Sequence, residues 1–107
     1  MTAPDPTVLV VDDDPEIRQV VMDVLRRAGC RVLEAADGPS AIAAAVAVEP
    51  DLVFLDMAMP GMDGPQVAQE LRRRFAECDL PVIALSSGSE PEDRARALEA
   101  GCNLYLT

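Results

Sequence analysis

Three apolar runs along the chain each stop at an oxygen-bearing side chain. Thr7–Val11 runs into Asp12, Asp13 and Asp14; Leu52–Leu55 runs into Asp56; Pro81–Leu85 runs into Ser86, Ser87 and Gly88. Short, continuous runs of this kind predict strands buried on both faces, as in a parallel sheet. A fourth run, Arg31–Ala35, predicts a short strand, and Leu104–Leu106 begins a fifth.

The segments between them carry helical periodicity. Pro15 suits a first helical position, with Asp14 before it as N-cap. Ile17, Val20, Val21, Val24, Leu25 and Ala28 then form one apolar stripe, stopped by Gly29. Asp37-Gly38-Pro39 turns into an alanine-rich helix lasting to about Val48. Pro65 opens a helix that buries Val67, Ala68, Leu71 and Phe75, and Arg72–Arg74 suit the negative end of its dipole. Ser89 and Glu92 read as a capping box for a helix to Ala100, with Gly101 as its stop.

Strand and helix thus alternate four times and end on a strand. That order implies right-handed crossovers and a parallel sheet with helices on both faces. Sites in such a sheet form outside the carboxyl ends of the strands. Asp12 and Asp13, Asp56, and Ser86 each close a different strand, so they are expected to converge.

Composition narrows the chemistry. The 107 residues suit one domain, and with only three aromatic side chains the core must be aliphatic. The net charge of −10 opposes direct binding to nucleic acid and suits divalent cations and basic partners. Histidine is absent, which excludes histidine acid–base catalysis and histidine metal sites, and every basic residue is arginine. Cys30, Cys78 and Cys102 have no metal-binding spacing and read as reduced core residues of a cytoplasmic protein. The amino terminus lacks the basic start of a signal peptide, and the apolar run at 41–48 is too short to span a membrane.

Adjacent carboxylates need a compensating partner, because two unit charges 4 Å apart repel by roughly 4 kcal/mol at an effective dielectric near 20. Three carboxylates without imidazole or thiolate make a hard oxygen site suited to Mg²⁺ or Mn²⁺. The first strand–helix loop has no glycine cradle for phosphate, so a phosphate entering there needs a metal to mask the charge. Asp56 beside such a metal can act as a nucleophile toward phosphorus, and Ser86 can donate to a phosphoryl oxygen. Plainer roles fall to other residues. Asp14 and Asp63 read as cap or turn residues, Ser87 and Ser89 as loop and cap, and Met57, Met59 and Met62 as gap-fillers.

The segments VLVVDDDPEIR, DLVFLDMAMPGMDG, PVIALSS and ALEAGCNLYLT, in this order and spacing, resemble the receiver domain of two-component response regulators. The resemblance covers nearly the whole chain. It implies a flavodoxin-like, doubly wound α/β fold with a five-stranded parallel sheet in the order 2-1-3-4-5. It implies Asp56 as phosphoacceptor, Asp13 as direct metal ligand, Asp12 as its partner through water, and the Ala58 backbone carbonyl as a further ligand. Ser86 takes the place of the phosphoryl-binding hydroxyl, and Tyr105 that of the switch aromatic. The implied cofactor is Mg²⁺, and the implied partner is a sensor histidine kinase or phosphotransfer protein. Ala58 and Gly88 take small-residue positions that flank the site, which favours access of water to the phosphoryl group.

The match stops short at one end. The family's lysine would fall at residue 108, and its last helix would follow. The intact motif up to Thr107 favours a receiver domain, 1–107, cut short before that helix, with room for an output domain beyond it, over a naturally short chain with a defective switch. An uncovered sheet face in such a chain predicts lowered stability, with a homodimer as one compensation. Two other function classes compete. One is a receiver-like docking module independent of phosphorylation, favoured by the absent lysine and opposed by the complete acidic set. The other is an aspartate-nucleophile phosphatase of the haloacid dehalogenase type, which this chain fits poorly without a lysine or a substrate cap.

Overall fold

The computed structural model describes residues 5–59, 61–76, 79–86 and 91–106. Its elements run β1 (Thr7–Val11), α1 (Pro15–Arg27), β2 (Arg31–Ala35), α2 (Gly38–Val48), β3 (Leu52–Asp56), α3 (Gly64–Arg74), β4 (Val82–Leu85), α4 (Pro91–Ala100) and β5 (Leu104–Leu106). The strands form one parallel sheet in the order β2-β1-β3-β4-β5. This is the doubly wound, flavodoxin-like arrangement expected. Every β–α–β connection is a crossover, so all strand carboxyl ends meet on one edge of the sheet.

The caps follow their residues. The Asp14 carboxylate accepts from the amides of Glu16 and Ile17 and starts α1 at Pro15. Asp37 accepts from the Ser40 amide at the start of α2. Asp63 and Gln66 form a reciprocal capping box on α3. The end of α2 is less expected: Glu49, a non-glycine residue, takes a left-handed φ of 53° there. The capping box assigned to Ser89, and the roles assigned to Cys78, Ser87, Gly88 and Thr107, fall outside the described residues.

The sheet carries two apolar layers. The larger lies against α2, α3 and α4 and includes Leu9, Val53, Leu55, Ala68, Leu71 and Ala97. Val67, Ala68 and Leu71 are buried and Phe75 packs at the margin, as the sequence predicts for α3. The smaller layer joins Val8, Val10 and Met22 with Val21, Leu25 and Phe54 under α1. The α1 stripe is only partly inward: Ile17, Val20 and Val24 are more than half exposed, while Met22, off the stripe, is buried. Among the described residues, only α1 covers this face, and it packs over β1 and β2. The register Val10–Phe54, Phe54–Ile83 and Ile83–Leu104 places exposed Leu104 and Leu106 on the same side of the sheet.

A guanidinium ties the opposite, amino-terminal ends of the strands. Arg72 of α3 donates to the carbonyls of Gly101 at 2.7 Å and Leu80 at 2.8 Å, and to Asn103 Oδ1 at 2.6 Å. Asn103 Oδ1 also accepts from the Val82 amide. Burial pushes the Cys102 thiol up to about 11, against the opposing charge of Arg72, and leaves it an inert core group. Cys30 is likewise a free thiol. Among the described residues, no helix is long and apolar enough to cross a membrane.

Candidate functional site

The end of β3 sets the geometry of the site. The sequence places Asp56 just past its strand, whereas the structure makes it the last residue of β3, paired with Leu85. The ladder continues because the Met57 amide donates to the Leu85 carbonyl. At the opposite, amino-terminal edge of the sheet, β4 begins at Val82 rather than Pro81, since proline has no N–H to give the ladder.

One carboxylate oxygen from each of Asp12, Asp13 and Asp56 lies within 4.8 Å of the others. Asp12 is only 6% exposed, Asp56 is half-buried and Asp13 is exposed. Asp12 and Asp56 are held locally. The Asp12 amide donates to the Ala35 carbonyl, and Asp12 Oδ1 accepts from the Asp14 amide at 2.9 Å. Asp56 Oδ1 accepts from the Ala58 amide at 3.0 Å. Asp14 thus serves twice, as the cap of α1 and through its amide as a brace on Asp12.

Burial and mutual repulsion raise the proton affinity of Asp12 and Asp56. Burial pushes the Asp56 pKa up to about 6 against the opposing Ala58 amide, and the charges of Asp12 and Asp13 add to the rise. Asp12 is also raised, first by burial and then by the charges of Asp13 and Asp14, while the Asp14 amide opposes the rise. A pKa near 6 still leaves Asp56 mostly ionised at neutral pH. A partly buried, mutually repelling set of oxygen donors is what a hard divalent cation relieves, so these residues fit Mg²⁺ on their own chemistry.

Ser86 stands on the rim. It lines one cleft of about 480 Å³ together with Asp12, Asp13, Asp56, Ala58 and Leu106. Its amide donates to the Leu106 carbonyl at 3.0 Å, which fixes the end of β4 against β5. The structure therefore gathers five of the six residues singled out from the sequence. Tyr105 is set apart: it pairs with Ala84, half-buried against the larger core layer.

Sequence reasoning missed Arg18. Its guanidinium donates to the Asp12 carbonyl at 2.8 Å and to Glu34 Oε1 at 3.0 Å. An arginine in the first turn of α1 reads as a solvated charge, and only the fold reveals that it reaches back to the strand end. The cleft wall formed by Ile17 and Leu106 was likewise not legible, because the two lie in distant segments.

A model of the response regulator receiver domain matches residues 8–107. The chain belongs to the response regulator receiver family. This receiver is 39% identical over 102 residues to the DNA-binding dual master transcriptional regulator RpaA of Synechocystis, covering 95% of this chain and 42% of that protein. It is 40% identical over 100 residues to the phosphate regulon transcriptional regulatory protein PhoB of Escherichia coli, covering 94% and 44%. The chain spans less than half the length of these two curated relatives. Among solved structures, a chemotaxis protein of Vibrio cholerae superposes with a TM-score of 0.89 at 32% identity, covering 96% of this receiver and 86% of that chain.

Proposed function

We propose that this receiver accepts a phosphoryl group on Asp56 from a sensor histidine kinase or phosphotransfer protein and acts as a phosphorylation-dependent switch. The observation that carries this reading is the approach of the Asp12, Asp13 and Asp56 oxygens to within 4.8 Å of one another at the carboxyl edge of the sheet. Asp12, Asp13, Asp56 and the backbone carbonyl of Ala58 would hold Mg²⁺, with Mn²⁺ as a substitute of the same hardness. When bound, the cation supplies positive charge against the repulsion of the carboxylates and the incoming phosphoryl oxygens.

The chain's own part is nucleophile and frame. The Asp56 oxygen attacks phosphorus, a P–O bond forms, and the P–N bond to the donor imidazole breaks with its electron pair leaving on nitrogen. The Ala58 amide fixes Oδ1 of Asp56 and so orients the carboxylate. Ser86 donates its hydroxyl to a phosphoryl oxygen. Movement of Ser86 toward that oxygen shifts the balance of Tyr105 between core and surface, and hydrolysis of the aspartyl phosphate resets it. The setting is cytoplasmic; in the two curated relatives a match to this receiver takes up less than half of a transcriptional regulator.

The test is intact mass after incubation with Mg²⁺ and acetyl phosphate, on the parent and on Asp56→Asn. One phosphoryl addition on the parent alone supports the reading. No addition to a folded parent favours a docking module that works without phosphorylation.

A further inference from the structure

Arg18 occupies an unusual place for a helix-surface cation. It lies in the first turn of α1, and its side chain is only 15% exposed. The guanidinium spans the ends of two adjacent strands. One arm meets the Asp12 carbonyl at the end of β1, and the other meets Glu34, which pairs with Val10 across the β1–β2 ladder. A planar guanidinium serves two acceptors at fixed angles, which a flexible ammonium cannot do.

The Asp12 carbonyl belongs to the peptide plane shared with Asp13. The other side of Asp12 is fixed by its amide bond to Ala35, and its carboxylate by the Asp14 amide. The 12–13 plane is rigid, so holding its oxygen fixes the N–Cα bond of Asp13, the base from which its side chain leaves the main chain. Asp13 is the exposed member of the acidic set and needs such support most. Arg18 reaches the acidic set through the main chain, at the Asp12 carbonyl oxygen. The exposed side of its ion pair with Glu34 adds little stability by itself.

We infer that Arg18 is a positioning residue for the cation site: by holding the Asp12–Asp13 peptide it sets the Asp13 carboxylate against Asp12 and Asp56. This rests on the proposed Mg²⁺ site. Outer partners of metal ligands commonly change affinity by tenfold or more.

The experiment is Mg²⁺ titration by calorimetry on the parent, Arg18→Met, Arg18→Lys and Glu34→Gln, beside urea unfolding in metal-free buffer and amide NMR spectra. Arg18→Met is expected to weaken Mg²⁺ binding about tenfold and to displace the Asp13 amide resonance. Arg18→Lys, which keeps one donor, should recover part of the loss. Glu34→Gln, which keeps an acceptor oxygen, should stay within about twofold of the parent. A lowered urea midpoint with unchanged Mg²⁺ affinity in the folded Arg18 variants would assign Arg18 to stability alone and overturn the inference. Should Arg18→Met not fold, an Arg18→Lys affinity equal to that of the parent overturns it in the same way. A parent that binds no Mg²⁺ removes the cation site itself, and with it the role of Arg18.

Discussion

Gly64 abuts the main chain of Asp56: a Cβ at residue 64 would lie 2.6 Å from the Asp56 carbonyl oxygen and 2.6 Å from the Met57 Cα. Both neighbours are backbone at the end of a buried strand, so neither can yield cheaply. Gly64→Ala is expected to cost about 1–3 kcal/mol of stability, the usual range for forced overpacking. It should also weaken Mg²⁺ binding, because the displaced atoms carry the Asp56 carboxylate. Urea midpoints and a Mg²⁺ titration on the same protein check both effects; an unchanged midpoint would contradict the close approach.

The raised pKa of Asp56 makes stability depend on pH in a definite direction. Asp56 holds its proton to about pH 6 in the folded state, against an ordinary value of 3.8. The folded protein therefore binds more protons than the unfolded chain between about pH 4 and 6. Metal-free stability should rise as pH falls through that window, by about 1–2 kcal/mol from Asp56 because solvent screens a half-exposed group, with Asp12 adding in the same direction. Asp37, lowered by the Ser40 amide, acts oppositely and only at more acid pH. Asp56→Asn should flatten most of the slope. Urea midpoints at several pH values, with EDTA, measure it.

Asp12→Asn should change affinity and stability in opposite senses. Loss of a buried, repelled carboxylate is expected to raise metal-free stability by about 1 kcal/mol, while Mg²⁺ affinity falls more than tenfold. Calorimetric titration beside thermal melts with and without Mg²⁺ tests the pairing. A substitution that lowered both would mean that Asp12 acts mainly as a hydrogen-bonding strut for Asp14.

Ser86→Ala removes a hydroxyl from the rim of the cleft and leaves the carboxylates in place. Phosphorylation by acetyl phosphate should slow by about tenfold to a hundredfold, the worth of one hydrogen bond to a charged oxygen. Mg²⁺ affinity should stay near that of the parent. A time course of intact mass resolves the rate, and an unchanged rate would remove Ser86 from the chemistry.

Much of this was legible because local signals carry it. Asp14, Asp37 and Asp63 are caps that act within four residues of themselves, and the parallel sheet follows from alternation. Convergence of Asp12, Asp13, Asp56 and Ser86 follows from topology before any contact is known. Burial on α1 was less legible. Periodicity finds the arc containing Ile17, Val20 and Val24, but which half of the arc faces the sheet depends on where α1 sits across β1 and β2. Arg18 and the Arg72 clamp were hidden because their partners include main-chain carbonyls, which every residue possesses, and side chains from distant segments, Glu34 and Asn103.

Arg72→Ala leaves the acceptors on Gly101, Leu80 and Asn103 without the guanidinium, and is expected to cost about 3 kcal/mol of stability. Because the clamp lies at the far end of the sheet, Mg²⁺ affinity in the folded variant should be unaffected. Urea unfolding and calorimetry together distinguish this from damage at the acidic site.

The clamp also bears on the alignment of β5. That strand has three residues, too few for its own ladder to define one alignment, and a slip by one position would turn every side chain to the other face. The correct alignment sets Tyr105 inward opposite Ala84 and turns Leu104 and Leu106 out. Arg72 and Asn103 pin the amino end of this strand to α3 and β4, so fidelity of the aromatic position is guarded from the edge of the molecule where no chemistry takes place.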